Sequence, residues 1–226
     1  MTTRIISYYS NKESHQEIGG IFAIFATVIS FTMLKALRTY LNKKFPLTPS
    51  RDIPAEYRNL KDINLIGFAY NIRSAESGEV LKQIIDCISG QDIQYKGLII
   101  ESKRNAYKKI LASIPEIGEN PNLTIITKNY LSWMGIPDIH RTAKFFSHVY
   151  DLFINFNSRS DFKFDYITKR AKSKFSIGMR SSAISLYSMV LEGEYKRTLD
   201  EVEYVKQVFH YVKAIKAGGE NGQHQS

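Results

Sequence analysis

Cysteine is nearly missing: Cys87 is the only one in 226 residues, so neither an intrachain disulfide nor a cysteine-rich metal centre can form. Its place in the apolar run 80–88 reads as packing, because a reactive thiolate needs a basic, open setting. A chain without disulfides suits a reducing cytoplasm, which is the expected location. Long hydrophobic runs are scarce as well. The longest, Ile21 to Leu34, would span about 21 Å as a helix, short of the roughly 30 Å hydrocarbon core. The phosphate-cradling patterns G-x-G-x-x-G and G-x-x-x-x-G-K-[ST] are absent, as are the G-x-S-x-G elbow and the H-E-x-x-H pair. Dinucleotide, P-loop, hydrolase and zinc-protease readings therefore lose their sequence warrant. His15, His140, His148, His210 and His224 are scattered, and no two stand four residues apart, so chelation from one helix face is unsupported. No metal is expected, and the cofactor is unknown. Tryptophan occurs once, as Trp133, which reads as a packing anchor.

What is present describes one globular domain. The chain is 43% hydrophobic and 23% charged, which excludes a disordered or collagen-like polymer. At this length roughly 70% of the unfolded surface can be buried. Lys and Arg number 31 against 22 Asp and Glu, a net charge of +9 that favours anionic partners without choosing among phosphorylated metabolites, nucleic acid and membrane surface.

Residues 1–32 differ from the rest. Four readings of the run at 21–34 stand: a membrane anchor, a cleaved signal, an ordinary packed helix, or a segment ahead of a true start at Met33. As an anchor it would be followed by Lys35, Arg38, Lys43 and Lys44, leaving the large domain on the cytoplasmic side of an inner membrane. Met33 would open a basic amphipathic helix. Residues 33–62 read as that helix and a connection bearing Pro46, Pro49 and Pro54, residues 63–217 as the main domain, and 218–226 as a disordered polar tail.

From Ile63 onward, short apolar runs alternate with helical spacing, which predicts a mostly parallel sheet of about six strands with helices on its faces. The strands are expected at 63–70, 95–100, 123–127, 152–156, 175–178 and 186–191. Between the first two, Val80, Leu81, Ile84, Ile85 and Ile88 form a helical stripe, with Gly90 expected as a left-handed cap. Tyr107, Ile110, Leu111 and Ile114 repeat the spacing. In the closing helix Thr198 and Glu201 read as a capping box ahead of an apolar stripe from Leu199 to Ile215. Phe162, Phe164 and Tyr166 alternate with cations between Arg159 and Arg180. They are expected to face the sheet, with Lys and Arg on the solvent side of a helix; the other reading is stacking on unpaired bases.

In a parallel α/β sheet, ligands bind beyond the carboxyl ends of the strands. The loops there hold Arg73, Lys103, Arg104, Lys128, Arg159 and Arg180 beside Ser or Asn residues, a mixture suited to phosphate or carboxylate. Solvated loop charge is the bland reading of the same residues. The first functional expectation is noncatalytic binding of an anionic ligand or partner at these loops. A small transferase acting on a phosphorylated substrate is the alternative, with Glu101, Asp161 and the serines as its only candidate bases or nucleophiles. A third reading is an RNA-associated or structural protein using Lys35 to Lys44 and the 159–180 stretch. A membrane partner is expected only through residues 21–34, and oligomeric state is open.

The runs Tyr150 to Phe156 and Ala171 to Met179, with the final helix, resemble a family of small Bacteroidota proteins known as domain of unknown function 6913. The likeness covers roughly Met33 to Ala217. It implies a basic first helix, a linker and a single Rossmann-like three-layer domain, and no activity, cofactor or partner. Family members often carry an aspartate in the fourth strand where this chain has Asn155, and residues 1–32 have no family counterpart. The same strand–helix–strand passage is similar to the acceptor half of heptosyltransferase-like enzymes. Those enzymes hold a sugar nucleotide on a second Rossmann domain, for which too few residues follow the sixth strand here.

Overall fold

The computed structural model describes residues 56–133, 135–158, 161–179, 186–191 and 200–215. Every described residue belongs to one compact unit, Thr48–Ser226. The expectations for residues 1–55, for Arg159 and Arg180, for Thr198 and for the tail at 218–226 lie outside the described residues.

Six apolar runs form strands: β1 Leu65–Ile72, β2 Gln94–Glu101, β3 Leu123–Ile126, β4 Val149–Asn155, β5 Lys172–Gly178 and β6 Met189–Val190. All pairings are parallel, in the order β3-β2-β1-β4-β5-β6. The chain therefore winds outward from β1 in one direction as far as β3, then returns to β4 and winds the other way. The gap between β1 and β4 is the topological switch point of a Rossmann-like sheet.

Among the described residues six helices cover the sheet: α1 Glu76–Ser89, α2 Ala106–Ser113, the single turn α3 Glu116–Glu119, α4 Ile139–Ser147, α5 Phe162–Arg170 and α6 Glu201–Ala214. Period-two side-chain alternation sorts β1 between two cores. Ile66, Phe68, Tyr70 and Ile72 pack with Leu81, Ile84 and Ile88 of α1 and with Val205, Val208 and Val212 of α6. Ala69 packs on the opposite face with Phe145 and Phe146 of α4 and Phe164 and Ile167 of α5. Each of these buried aliphatic and aromatic side chains contributes about 1.5–3 kcal/mol. The expected placement of the 162–166 aromatics holds for Phe164, which is fully buried, while Phe162 and Tyr166 are half-buried at the edge of the helix.

Two expected caps differ. Gly90 is right-handed, with φ −66°, and its amide closes onto Asp86 and Ile88 carbonyls; the left-handed residue is Asp92, φ 56°, two positions later. The helix winds on through Gly90 before turning, so the special dihedral falls further along. At α6 the cap is Asp200, whose carboxylate accepts from the Glu203 amide at 2.7 Å. Asp at the N-cap position satisfies an otherwise orphaned N–H and also opposes the helix dipole. At the other end of α6 the Asn59 amide donates to the carbonyls of Lys213 and Ile215, both at 2.9 Å, so residues 56–63 fold onto this same unit. Leu60 and Ile63 are buried there.

Candidate functional site

Parallel pairing places the ends of β1, β2 and β4 side by side, with Ile72 opposite Glu101 and Ala69 opposite Asn155. The loops that follow meet on one rim. On the α1–α2 side of that rim lies an open cleft of about 260 Å³ lined by Ser74, Glu76, Lys103, Arg104 and Lys109 among others. The Ser77 hydroxyl oxygen accepts from the amides of Arg73 and Ser74, both at 3.2 Å, and so shapes the β1–α1 turn. A hydrogen bond from Ser74 and the residue's own amide hold the Glu76 carboxyl below its ordinary range, with smaller help from Lys103 and Lys109. Three cations and one carboxylate leave the cleft positive.

Beneath the other side of the rim runs a buried polar chain. Asn155, 1% exposed, donates from Nδ2 to Thr168 Oγ1 at 2.8 Å and to the Tyr187 hydroxyl at 2.9 Å, and its Oδ1 accepts from the Asn157 amide at 2.9 Å. Arg73 Nη2 then donates to Asn157 Oδ1 at 2.9 Å, across the switch point. Asn71 is oriented with Nδ2 donating to the Ile100 carbonyl at 3.2 Å and to Ser102 Oγ at 2.6 Å, and with Oδ1 accepting from Arg73 Nε at 3.2 Å. The opposite orientation would set its oxygen against the Ile100 carbonyl and its NH2 against the Arg73 N–H. Lys163 Nζ, from the first turn of α5, donates to the same Ser102 oxygen at 3.3 Å and lies 3.2 Å from Asp161 Oδ2. Asp161 in turn caps α5 through the Lys163 amide.

Of the cations expected from the sequence, Lys103 and Arg104 share the cleft, whereas Arg73 turns toward Asn157 at the end of β4. Lys128 is exposed at the end of β3, and its amide donates to Glu101. Arg159 and Arg180 lie outside the described residues. Asn71, Ser102 and Asn157 stand in the strand-end loops expected from the sequence, and Lys163 was expected on the solvent side of a helix; Lys109 was not singled out. Only the sheet order brings the ends of strands one and four together and so joins Asn71, Arg73 and Asn157.

Glu101 is 5% exposed, and its two oxygens accept from the amides of Tyr107 at 3.0 Å and Lys128 at 3.3 Å. The carboxylate ties the start of α2 to the end of β3. Trp133 corrects an expectation: it is 76% exposed rather than packed. It rides on a closed loop in which Leu131 bridges Pro137, the Gly135 amide donates to the Ser132 carbonyl at 2.8 Å, and the Ile136 amide donates to Ser132 Oγ at 3.0 Å. A tight turn with apolar flanks that already satisfy each other leaves the tip side chain nothing to pack against. Among the described residues no group of three His, Cys, Asp or Glu is placed to hold a metal, and no helix is long and apolar enough to cross a membrane.

The model of DUF6913, a family of unknown function, matches residues 34–215. The chain belongs to DUF6913. The match spans nearly all of the resemblance seen in the strand and closing-helix runs. No curated protein matches the chain. Among solved structures it is similar to an exopolyphosphatase-related protein from Bacteroides fragilis, at 8% identity and a TM-score of 0.37 over 68% of this chain. The chain spans 41% of that protein's length.

Proposed function

We propose that this DUF6913 protein binds an anionic ligand, bearing phosphate or carboxylate, at the carboxyl rim of its sheet. The observation carrying this reading is the cleft in which Lys103, Arg104 and Lys109 converge opposite Ser74. Clustered cations beside hydroxyl and amide donors stabilise an oxyanion through charge-assisted hydrogen bonds. The binding is noncatalytic in this reading. Glu101 and Asp161, the carboxylates singled out from the sequence, are engaged with backbone amides, Asp161 also pairs with Lys163, and Glu76, the carboxylate in the cleft itself, is bonded by Ser74.

The test is thermal unfolding of the full chain with inorganic phosphate, pyrophosphate, nucleotides and tricarboxylates. A ligand at a hundredfold excess over its Kd adds about 2.7 kcal/mol, which raises Tm by about 5 °C or more in a chain this size. The Lys103→Ala, Arg104→Ala double variant is expected to lose most of that rise. No rise with any anion, or an equal rise in the double variant, overturns the reading.

A further inference from the structure

Deepening the rim reading, on which it rests, we propose that the crevice between β2, β1 and β4 seats the phosphate of a mononucleotide while Trp133 stacks on its base. The seat is defined by donors that lack acceptors. Ser102 Oγ receives two hydrogen bonds, from Asn71 Nδ2 and Lys163 Nζ, so its own hydrogen must point elsewhere. Among the described residues it meets no acceptor. Lys163 has three N–H groups, of which one goes to Ser102, and its nitrogen pairs with Asp161 Oδ2 at 3.2 Å. Arg73 directs Nε to Asn71 and Nη2 to Asn157, and its guanidinium carries five donors in all. The remaining hydrogens of Arg73 and Ser102, just beyond the ends of β1 and β2, and of Lys163, on the first turn of α5, suit a tetrahedral oxyanion.

Asp161 matters to the strength of this seat. It pairs with Lys163 and holds it against Ser102, and it cancels one of the two positive charges, so the affinity is modest and favours a monoester over a polyphosphate. The geometry also leads from the seat to the ring. Gly135, φ +78°, lies so close to Lys163 that a Cβ there would stand 2.6 Å from Lys163 Cγ. Trp133 is two residues away, within about 8 Å along the chain. The hydrogen-bonded loop that carries the exposed indole thus touches the stem of Lys163, and in the proposed complex the ring lies over a base held at the seat. Base stacking on an aromatic side chain contributes about 1–3 kcal/mol. A phosphate with no ring would leave Trp133 unused, and an apolar partner would leave the donors unanswered.

Trp133 is the chain's only tryptophan, so its emission reports on the site directly. Adenosine and guanosine 5′-monophosphate, titrated into the full chain with excitation at the red edge of indole absorption, are expected to quench it saturably. The unphosphorylated nucleosides are expected to bind at least about tenfold more weakly, and Lys163→Gln to weaken the nucleotide by a similar factor. Trp133→Phe, a change at an exposed tip that leaves the core intact, is expected to weaken calorimetric binding while leaving Tm in buffer unchanged. Absence of saturable quenching, equal affinity for nucleoside and nucleotide, or full affinity in a folded Lys163→Gln variant overturns the proposal. So does far tighter, steeply salt-dependent binding of a single-stranded oligonucleotide, which would make the ligand a nucleic acid. If phosphate still stabilises the chain through Lys103 and Arg104 while nucleotides leave the emission untouched, this proposal falls and rim binding stands. If neither responds, both fall.

Discussion

Asn155 shows how tightly a single amide can be specified. Thr168 donates its hydroxyl hydrogen to the Phe164 carbonyl at 2.8 Å, so its oxygen can only accept from residue 155. A carboxylate at 155 would face that oxygen lone pair to lone pair in a site with 1% exposure. Asn155→Asp is therefore expected to lose about 3 kcal/mol at neutral pH, measured by urea unfolding. The loss should shrink as the pH falls, because a protonated carboxyl regains a donor. The family resemblance made an aspartate the expected residue, and sequence alone offered no reason for the amide; the reason is the neighbouring hydroxyl's prior commitment.

At the scale of elements, β5 and β6 meet around a glycine. The Tyr187 ring lies against Gly178, where an added Cβ would stand 2.3 Å from the ring. That contact lets the Tyr187 hydroxyl reach Asn155. Gly178→Ala is expected to destabilise by about 1–3 kcal/mol, read from the urea midpoint. If the glycine served chain flexibility alone, alanine in this extended strand would be neutral or better. All six strands were legible as apolar runs, because a strand covered on both faces needs little polar interruption. The nine-residue α4 was not, since only Thr142, Phe145 and Phe146 of its residues are buried and the rest read as loop. The misplaced caps at Gly90 and Thr198 have the same origin: which residue ends a helix depends on where the chain must turn toward the next strand.

Across the whole molecule, the two poles of the sheet have different chemistry. The carboxyl pole gathers cations. At the amino pole Asp151, 7% exposed, accepts from the amides of Asn64 at 3.0 Å and Leu65 at 3.2 Å and from Lys174 Nζ at 2.8 Å, joining β4 to β1 and β5. Burial pushes the Asp151 carboxyl up, but Lys174 and the two amides together outweigh it and hold it below its ordinary range. A carboxyl lowered in the folded state binds fewer protons than in the unfolded chain, so its stabilisation is complete above the unfolded value of 3.8 and is lost as the pH falls through the folded one. Stability should accordingly fall between about pH 5 and about pH 3. Asp151→Asn is expected to flatten part of that fall while costing about 1–3 kcal/mol at neutral pH. Urea midpoints measured across that range check both.

The alternation of apolar runs and helical spacing, read from residues alone, determined a layered α/β domain and the loops that carry positive charge. Those are local properties, set by side-chain periodicity and turn chemistry. Strand order was decided only in three dimensions, because pairing β1 with β4 joins residues some eighty positions apart that share no local pattern. That order separates the cations, with Lys103 and Arg104 in the cleft and Arg73 bonded to Asn157 across the switch point. It also brings Asn71, Ser102 and Lys163 together, while the lone tryptophan stays in solvent.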